Sequence, residues 1–145
     1  MLAAMKGVYI VAQTPFDADA GIDLASVDTL VDFYCRHGAD GFTVLGVSGE
    51  AGKLTEAESL AVAKRYIARA GGRPVIVGVS SPNLAQLSQL TARVMDAGAA
   101  GVMIAPASGI RTDDELNRYF DHVFTAIGDV SVVLQDFPGA TNVGL

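Results

Sequence analysis

The chain has 145 residues, 50% of them hydrophobic and 18% charged, with a formal net charge of −6. That is too apolar for a disordered chain, and its acidic balance excludes nucleic acid, which needs clustered Lys and Arg. No apolar run reaches the ~20 residues that cross a bilayer, and a single cysteine, Cys35, excludes a disulfide framework and a cysteine-cluster metal site.

Five short runs rich in β-branched residues read as strands: Val8–Ala12, Phe42–Leu45, Val75–Val79, Val102–Ala105 and Val130–Leu134. None alternates apolar with polar throughout, as expected of parallel strands covered on both faces. Their starts, at 8, 42, 75, 102 and 130, lie 27 to 34 residues apart, enough for a strand, a helix and two loops. After the first run, Asp23 caps a helix whose Leu24, Val27, Leu30, Val31, Tyr34 and Cys35 share one face, and Gly38 stops it. Thr55 and Glu58 have capping-box spacing and open a second helix, with Val62, Tyr66 and Ile67 inward and Gly71-Gly72 as its end. A third runs from about Asn83 to Ala97, with Leu87, Leu90 and Val94 inward and Gly98 as the stop. Thr112 and Glu115 form another capping-box pair. They precede the stripe Leu116, Tyr119, Phe120, Val123, Phe124 and Ile127, and Gly128 ends that helix.

Strand-helix repeated four times and closed by a fifth strand implies right-handed crossovers and a parallel sheet. Residues 1–145 read as part of one domain with no internal boundary. Two architectures fit: an open doubly wound sheet binding a small anion, or part of an eight-fold (β/α) barrel. The doubly wound sheet normally has a glycine-rich turn after its first strand. Here that turn is Ala12-Gln13-Thr14-Pro15-Phe16. Met1 to Lys6 is too short for a signal peptide, so a cytoplasmic protein is expected.

In a barrel, chemistry sits at the C-terminal ends of the strands. The end of the second, Gly46-Val47-Ser48-Gly49-Glu50, combines two glycines with a hydroxyl among free amides. It suits a small carboxylate, although an ordinary strand-to-helix turn has the same composition. Cys35 reads as a core residue, His37 as a cation suited to its helix's C-terminus, and His122 as water-facing. Asp17 and Asp19 read as loop formers, and no pair of histidines and acids has metal-ligand spacing.

Thr14-Pro15-Phe16, then Gly21-Ile22-Asp23, then Gly46-Val47-Ser48-Gly49-Glu50 with Leu54-Thr55, closely resembles the dihydrodipicolinate synthase/N-acetylneuraminate lyase family. Pro74–Val79 and Gly98–Val102 are similar to that family's third and fourth strands with their approaches, so the resemblance runs from about Gly7 to Leu145. It implies an α/β fold of the (β/α)8 TIM-barrel type. This chain would be the N-terminal half, with about four βα units plus a fifth strand. It implies a homo-oligomer, usually a tetramer, that acts as a lyase, aldolase or synthase on pyruvate or a related 2-oxo acid. The reaction goes through a lysine Schiff base, with no metal or further cofactor.

By that resemblance Gly46, Val47, Ser48 and Gly49 form the carboxylate-binding loop, with Ser48 as its second hydroxyl residue and Glu50 as a structural hydrogen-bond acceptor. The chain also departs from the family. Val47 replaces the loop's first hydroxyl residue. Gln135, in Gln135-Asp136-Phe137-Pro138, stands at the position of the general acid/base tyrosine and is the candidate catalytic contact, while Asp136 could take over proton transfer. Ser108 or Ala107 falls where a neighbouring subunit's tyrosine is expected, and Ala140 where an arginine binds a second substrate carboxylate. These departures argue against dihydrodipicolinate synthesis itself. The Schiff-base lysine belongs to a sixth strand, beyond Leu145, and Lys6, Lys53 and Lys64 do not match it. Lys53 alone sits on the catalytic face, where it reads as a solvated loop residue. The expectation is therefore that residues 1–145 alone are inactive. The alternative is a non-catalytic half-barrel, a pseudoenzyme or assembly module that self-associates through its unpaired edges.

Overall fold

The computed structural model describes residues 5–145. Met1–Ala4, on which most of the leader reading rests, lie outside the described residues. Five parallel strands form one sheet: β1 (Tyr9–Val11), β2 (Gly41–Val44), β3 (Val75–Gly78), β4 (Gly101–Ile104) and β5 (Val132–Leu134). They pair in the order β1-β2-β3-β4-β5. That sequential order, with each strand joined to the next through a helix, is the topology of a (β/α) barrel and excludes the doubly wound alternative, whose order reverses. The chain folds as a partial TIM barrel of four βα units and a fifth strand.

The crossovers are α1 (Leu24–Arg36), α2 (Glu56–Arg69), α3 (Leu84–Asp96) and α4 (Asp113–Ile127). Their starts follow from local chemistry. The Asp23 side chain accepts from the Ser26 amide, Asn83 from those of Ala85 and Gln86, and Thr55 and Glu58 form the reciprocal capping box. The fourth start corrects the expected second box. Thr112 does accept from the Glu115 amide, but the Glu115 carboxylate reaches one residue further back, to the Arg111 amide at 2.9 Å.

Successive side chains of a strand point to opposite faces. Phe42 and Val44, Val75 and Val77, and Val102 and Ile104 form one face. They join Val27 and Val31 of α1, Val62, Ala63 and Tyr66 of α2, Leu87 and Val94 of α3, and Phe120 and Val123 of α4 in a single buried core. All four helices thus cover the same face, the outside of the barrel wall. Ile76 and Met103 are also buried but belong to the inner face, where the edge residues Val11 and Val133 are exposed.

Ion pairs stitch the helices on the outer surface: Arg65 to Asp28 and Arg69 to Asp32 across α1 and α2, and Arg93 to Glu56 across α2 and α3. The fifth strand starts at Val132, later than Val130. The Val130 amide folds back onto the Gly128 carbonyl, and the ladder begins with Ser131 accepting from Val102. A short helix that sequence reading missed, α5 (Pro138–Thr141), follows β5. Its signal is Pro138, whose fixed φ suits a first helical position.

Candidate functional site

The C-terminal ends of all the strands lie on one rim. The β2–α2 segment there is held by its backbone. Leu45 and Glu50 adopt left-handed conformations with φ of 57° and 56°. Between them Val47–Gly49 forms a single 3-10 turn, and a second follows at Ala51–Lys53. Two contacts far away in sequence fix this shape. The buried Thr14 hydroxyl donates to the Gly49 carbonyl at 2.7 Å. Gly78, at the end of β3, lies so close to β2 that a Cβ on it would sit 2.2 Å from the Leu45 carbonyl oxygen. Glycine is therefore required there. Beneath the rim, the Tyr66 hydroxyl donates to the Gln13 carbonyl at 2.8 Å and so ties the end of β1 to α2.

The first two amides of the 3-10 turn, those of Val47 and Ser48, have no acceptor among the described residues, whereas Gly49 and Glu50 donate to Gly46 and Val47. A turn that offers two adjacent free amides can take an anion. Ser48 is exposed, as is Val47.

Beside this turn lies a cleft of about 770 Å³. One wall is Leu45, Gly46, Val47 and Glu50–Lys53, and the floor includes Ser80, Ser81 and Ala105. The far wall is Pro106, Ala107, Ser108, Tyr119, Gln135, Ala140 and Thr141. Of the residues expected from the sequence, Gly46, Val47 and Gln135 line the cleft. Ser48 lies next to the lining, and Gly49 is buried against β1, where a Cβ would meet the Ala12 carbonyl oxygen at 3.2 Å. The Asp136 carboxylate accepts from the Leu145 amide at 3.3 Å instead of lining the cleft.

Glu50 and Lys53 also line it, and the Lys53 ammonium donates to Glu50 Oε2 at 2.5 Å. The Glu50 carboxylate accepts from Lys53 in a solvent-exposed ion pair. Lys6 and Lys64 are exposed and lie outside the cleft lining. Cys35 packs partly buried against the core. The His37 ring sits at the end of α1, its Nδ1 2.8 Å from the Phe33 carbonyl oxygen. Asp17 accepts from the amides of Asp19 and Gly21, as a loop former does, and His122 is exposed. Among the described residues no group of three or more His, Cys, Asp and Glu side chains gathers to hold a metal ion.

Ser80, Ser81, Tyr119 and Thr141 were not singled out by sequence reasoning. Tyr119 carried a usable signal: an amphipathic side chain on an apolar stripe puts its ring in the core and its hydroxyl at the edge. Here the ring packs on the core while the hydroxyl, 3.4 Å from the Ala105 carbonyl oxygen, reaches the cleft. Burial raises its phenol above the usual tyrosine range, so near neutral pH it is a hydrogen-bond donor and no base.

The model of the dihydrodipicolinate synthetase family matches residues 4–145. The 4-hydroxy-tetrahydrodipicolinate synthase of Pseudomonas savastanoi pv. phaseolicola is 31% identical over 139 residues, 94% of this chain and 47% of the relative. That of Sorangium cellulosum is 34% identical over 144 residues, 97% of this chain and 48% of the relative. Among solved structures, dihydrodipicolinate synthase from Rhodopseudomonas palustris superimposes with a TM-score of 0.92 at 51% identity, covering 96% of this chain and 46% of that one. YagE, a prophage protein of the dihydrodipicolinic acid synthase family from E. coli K12 solved in complex with pyruvate, gives 0.87 at 28% identity, covering 96% and 47%. The chain spans about half the length of the curated relatives it matches.

Proposed function

Given that this chain belongs to the dihydrodipicolinate synthetase family, we propose that it supplies the 2-oxo-acid-binding half of a Schiff-base lyase, aldolase or synthase acting on pyruvate or a close relative. The observation that carries this reading is the Val47–Gly49 turn, with two free amides and the Ser48 hydroxyl at the rim beside the cleft. In this reading the carboxylate of the 2-oxo acid lies on those amides. Its ketone condenses with a lysine from outside residues 1–145, and the resulting iminium takes up the electrons released when a carbon–carbon bond breaks. Gln135 has no titratable proton near neutral pH, so it orients the substrate by hydrogen bonds and does not relay protons. Assembly into a homo-oligomer and a cytoplasmic location belong to the same reading.

Lys53 is not the nucleophile of this proposal. Its ammonium is paired with Glu50 and its side chain is 75% exposed.

Borohydride reduction with pyruvate tests the proposal. The full-length protein gives a stable pyruvyl adduct on a lysine beyond Leu145, and residues 1–145 alone give none. An adduct on Lys53 in either protein, or no adduct in the full-length one, contradicts it. The second of those results would favour a non-catalytic half-barrel. The observation behind that reading is the exposed apolar surface of the edges, with Val11 51%, Leu134 46% and Phe137 46% exposed.

A further inference from the structure

The turn that carries the free amides is held from β1, and the hold runs through side chains. The β1–β2 ladder ends with the Ala12 amide donating to the Thr43 carbonyl at 2.9 Å. Beyond it, no backbone–backbone hydrogen bond joins residues 13–16 to residues 45–50 among the described residues. Side chains take over at that point. The Tyr66 hydroxyl donates to the Gln13 carbonyl at 2.8 Å, and the Thr14 hydroxyl, on the next residue, donates to the Gly49 carbonyl at 2.7 Å. Tyr34 of α1 also grips Gln13, its hydroxyl donating to Oε1. Gly49 is thus pinned twice, by its amide to the Gly46 carbonyl at 3.1 Å and by its carbonyl to Thr14. The Tyr66 ring is fully buried and packs 5.9 Å from that of Phe42, centroid to centroid. A phenylalanine would fill that space without burying a polar group, which costs free energy unless it is bonded. The hydroxyl therefore matters for what it holds, the end of β1.

We propose that Thr14 and Tyr66 are positioning residues for the 2-oxo acid. Through Gly49 and Gln13 they set the direction in which the Val47 and Ser48 amides meet its carboxylate. This rests on the pyruvate reading above. Neither side chain lines the cleft, so each acts through the turn. A hydrogen bond weakens steeply as its angle departs from linear, and bonds to a carboxylate are the stronger, charge-assisted kind. A turn released from Thr14 keeps both amides but no longer holds them at one angle. Release of Gln13 from Tyr66 loosens the same turn from one residue further back, so its effect is the smaller. All the groups in this chain of contacts belong to β1, β2, α1, α2 and the loops that follow the two strands.

The test is borohydride trapping by the full-length protein over a range of pyruvate concentrations, which separates the half-saturating concentration from the maximal trapping rate. Thr14→Val should raise the half-saturating concentration about tenfold and leave the maximal rate within about threefold, because the groups disturbed bind the carboxylate and the lysine is untouched. Thr14→Ser restores the hydroxyl and should return that concentration to within about threefold of the unaltered protein. Tyr66→Phe keeps the ring, and it decides the matter if Thr14→Val does not fold. It should raise the half-saturating concentration about threefold at an unchanged maximal rate. A purely structural role would instead lower the fraction of protein trapped at saturation and leave the concentration required where it was. That result, a half-saturating concentration unmoved by either variant, or a serine variant no better than the valine one overturns the proposal, while the adduct of the unaltered protein keeps the pyruvate reading intact. Failure of the unaltered protein to form the adduct overturns both.

Discussion

Two walls face each other across the cleft, and they are built differently. The β2–α2 wall is held by main chain: left-handed residues at Leu45 and Glu50, a carbonyl of Gly49 held by Thr14, and Gly78 pressed against Leu45. The β4–α4 and β5–α5 wall is made of side chains, carried by the loops after β4 and β5 and by α4 and α5. Two of them, Ser108 and Gln135, have no hydrogen-bond partner among the described residues. The first arrangement suits a group common to every substrate, such as the carboxylate of a 2-oxo acid. The second suits a group that varies between enzymes, because its residues can change without disturbing the barrel. Substitutions at the residues that hold the first wall's backbone should therefore damage the fold, and substitutions at Ser108 and Gln135 should change selectivity and leave stability alone.

The sharpest way to break this contrast is Gly78→Ala. A methyl 2.2 Å from the Leu45 carbonyl oxygen forces two adjacent strands apart. Chemical denaturation should show a loss above ~3 kcal/mol, among the large effects for one residue. A loss under ~1 kcal/mol would mean the rim is softer than described. Next in size is Thr14→Val, which keeps the shape but removes the donor to a buried carbonyl and should cost ~1–3 kcal/mol. Thr14→Ser should recover most of it. If valine and serine behave alike, the hydrogen bond to Gly49 does not hold the turn.

A pH effect follows from the tyrosine beneath the same wall. Burial, and secondarily the neighbouring Tyr34, raises the Tyr66 phenol well above its ordinary value. The unfolded chain ionises near pH ~10, and the folded chain only at a higher pH. The unfolded state therefore loses its proton first, and the neutral buried phenol contributes fully below pH ~10. Stability should fall as pH rises past that point. Tyr66→Phe should flatten the alkaline limb of a stability–pH curve, and an alkaline limb unchanged by that substitution would contradict the assignment.

The smallest effect expected is that of Lys53→Ala. An exposed ion pair of this kind contributes ~0–1 kcal/mol. The variant should unfold within ~1 kcal/mol of the parent, and in the full-length protein it should still form the pyruvyl adduct. Loss of the adduct would make Lys53 part of the chemistry.

The same contrast governs what could be read in advance. Helix starts at Asp23, Thr55 and Asn83 were legible because each cap is chemistry among residues two or three positions apart. The glycine-rich turn was legible as composition. Its conformation was not, because it depends on Thr14, 35 positions away, and on the close approach of Gly78 to Leu45. Strand spacing alone left two architectures open, since order within a sheet is a tertiary property. Tyr119 sat correctly on its apolar stripe, but nothing in that periodicity says that the end of the stripe opens into a cleft.

The most direct test of the central claim is a crystal structure of the full-length protein after borohydride trapping with pyruvate. The pyruvyl carboxylate should lie within hydrogen-bond distance of the Val47 and Ser48 amides, with the adduct's remaining face toward Gln135. A carboxylate bound anywhere else, with the Val47–Gly49 turn left empty, would contradict it.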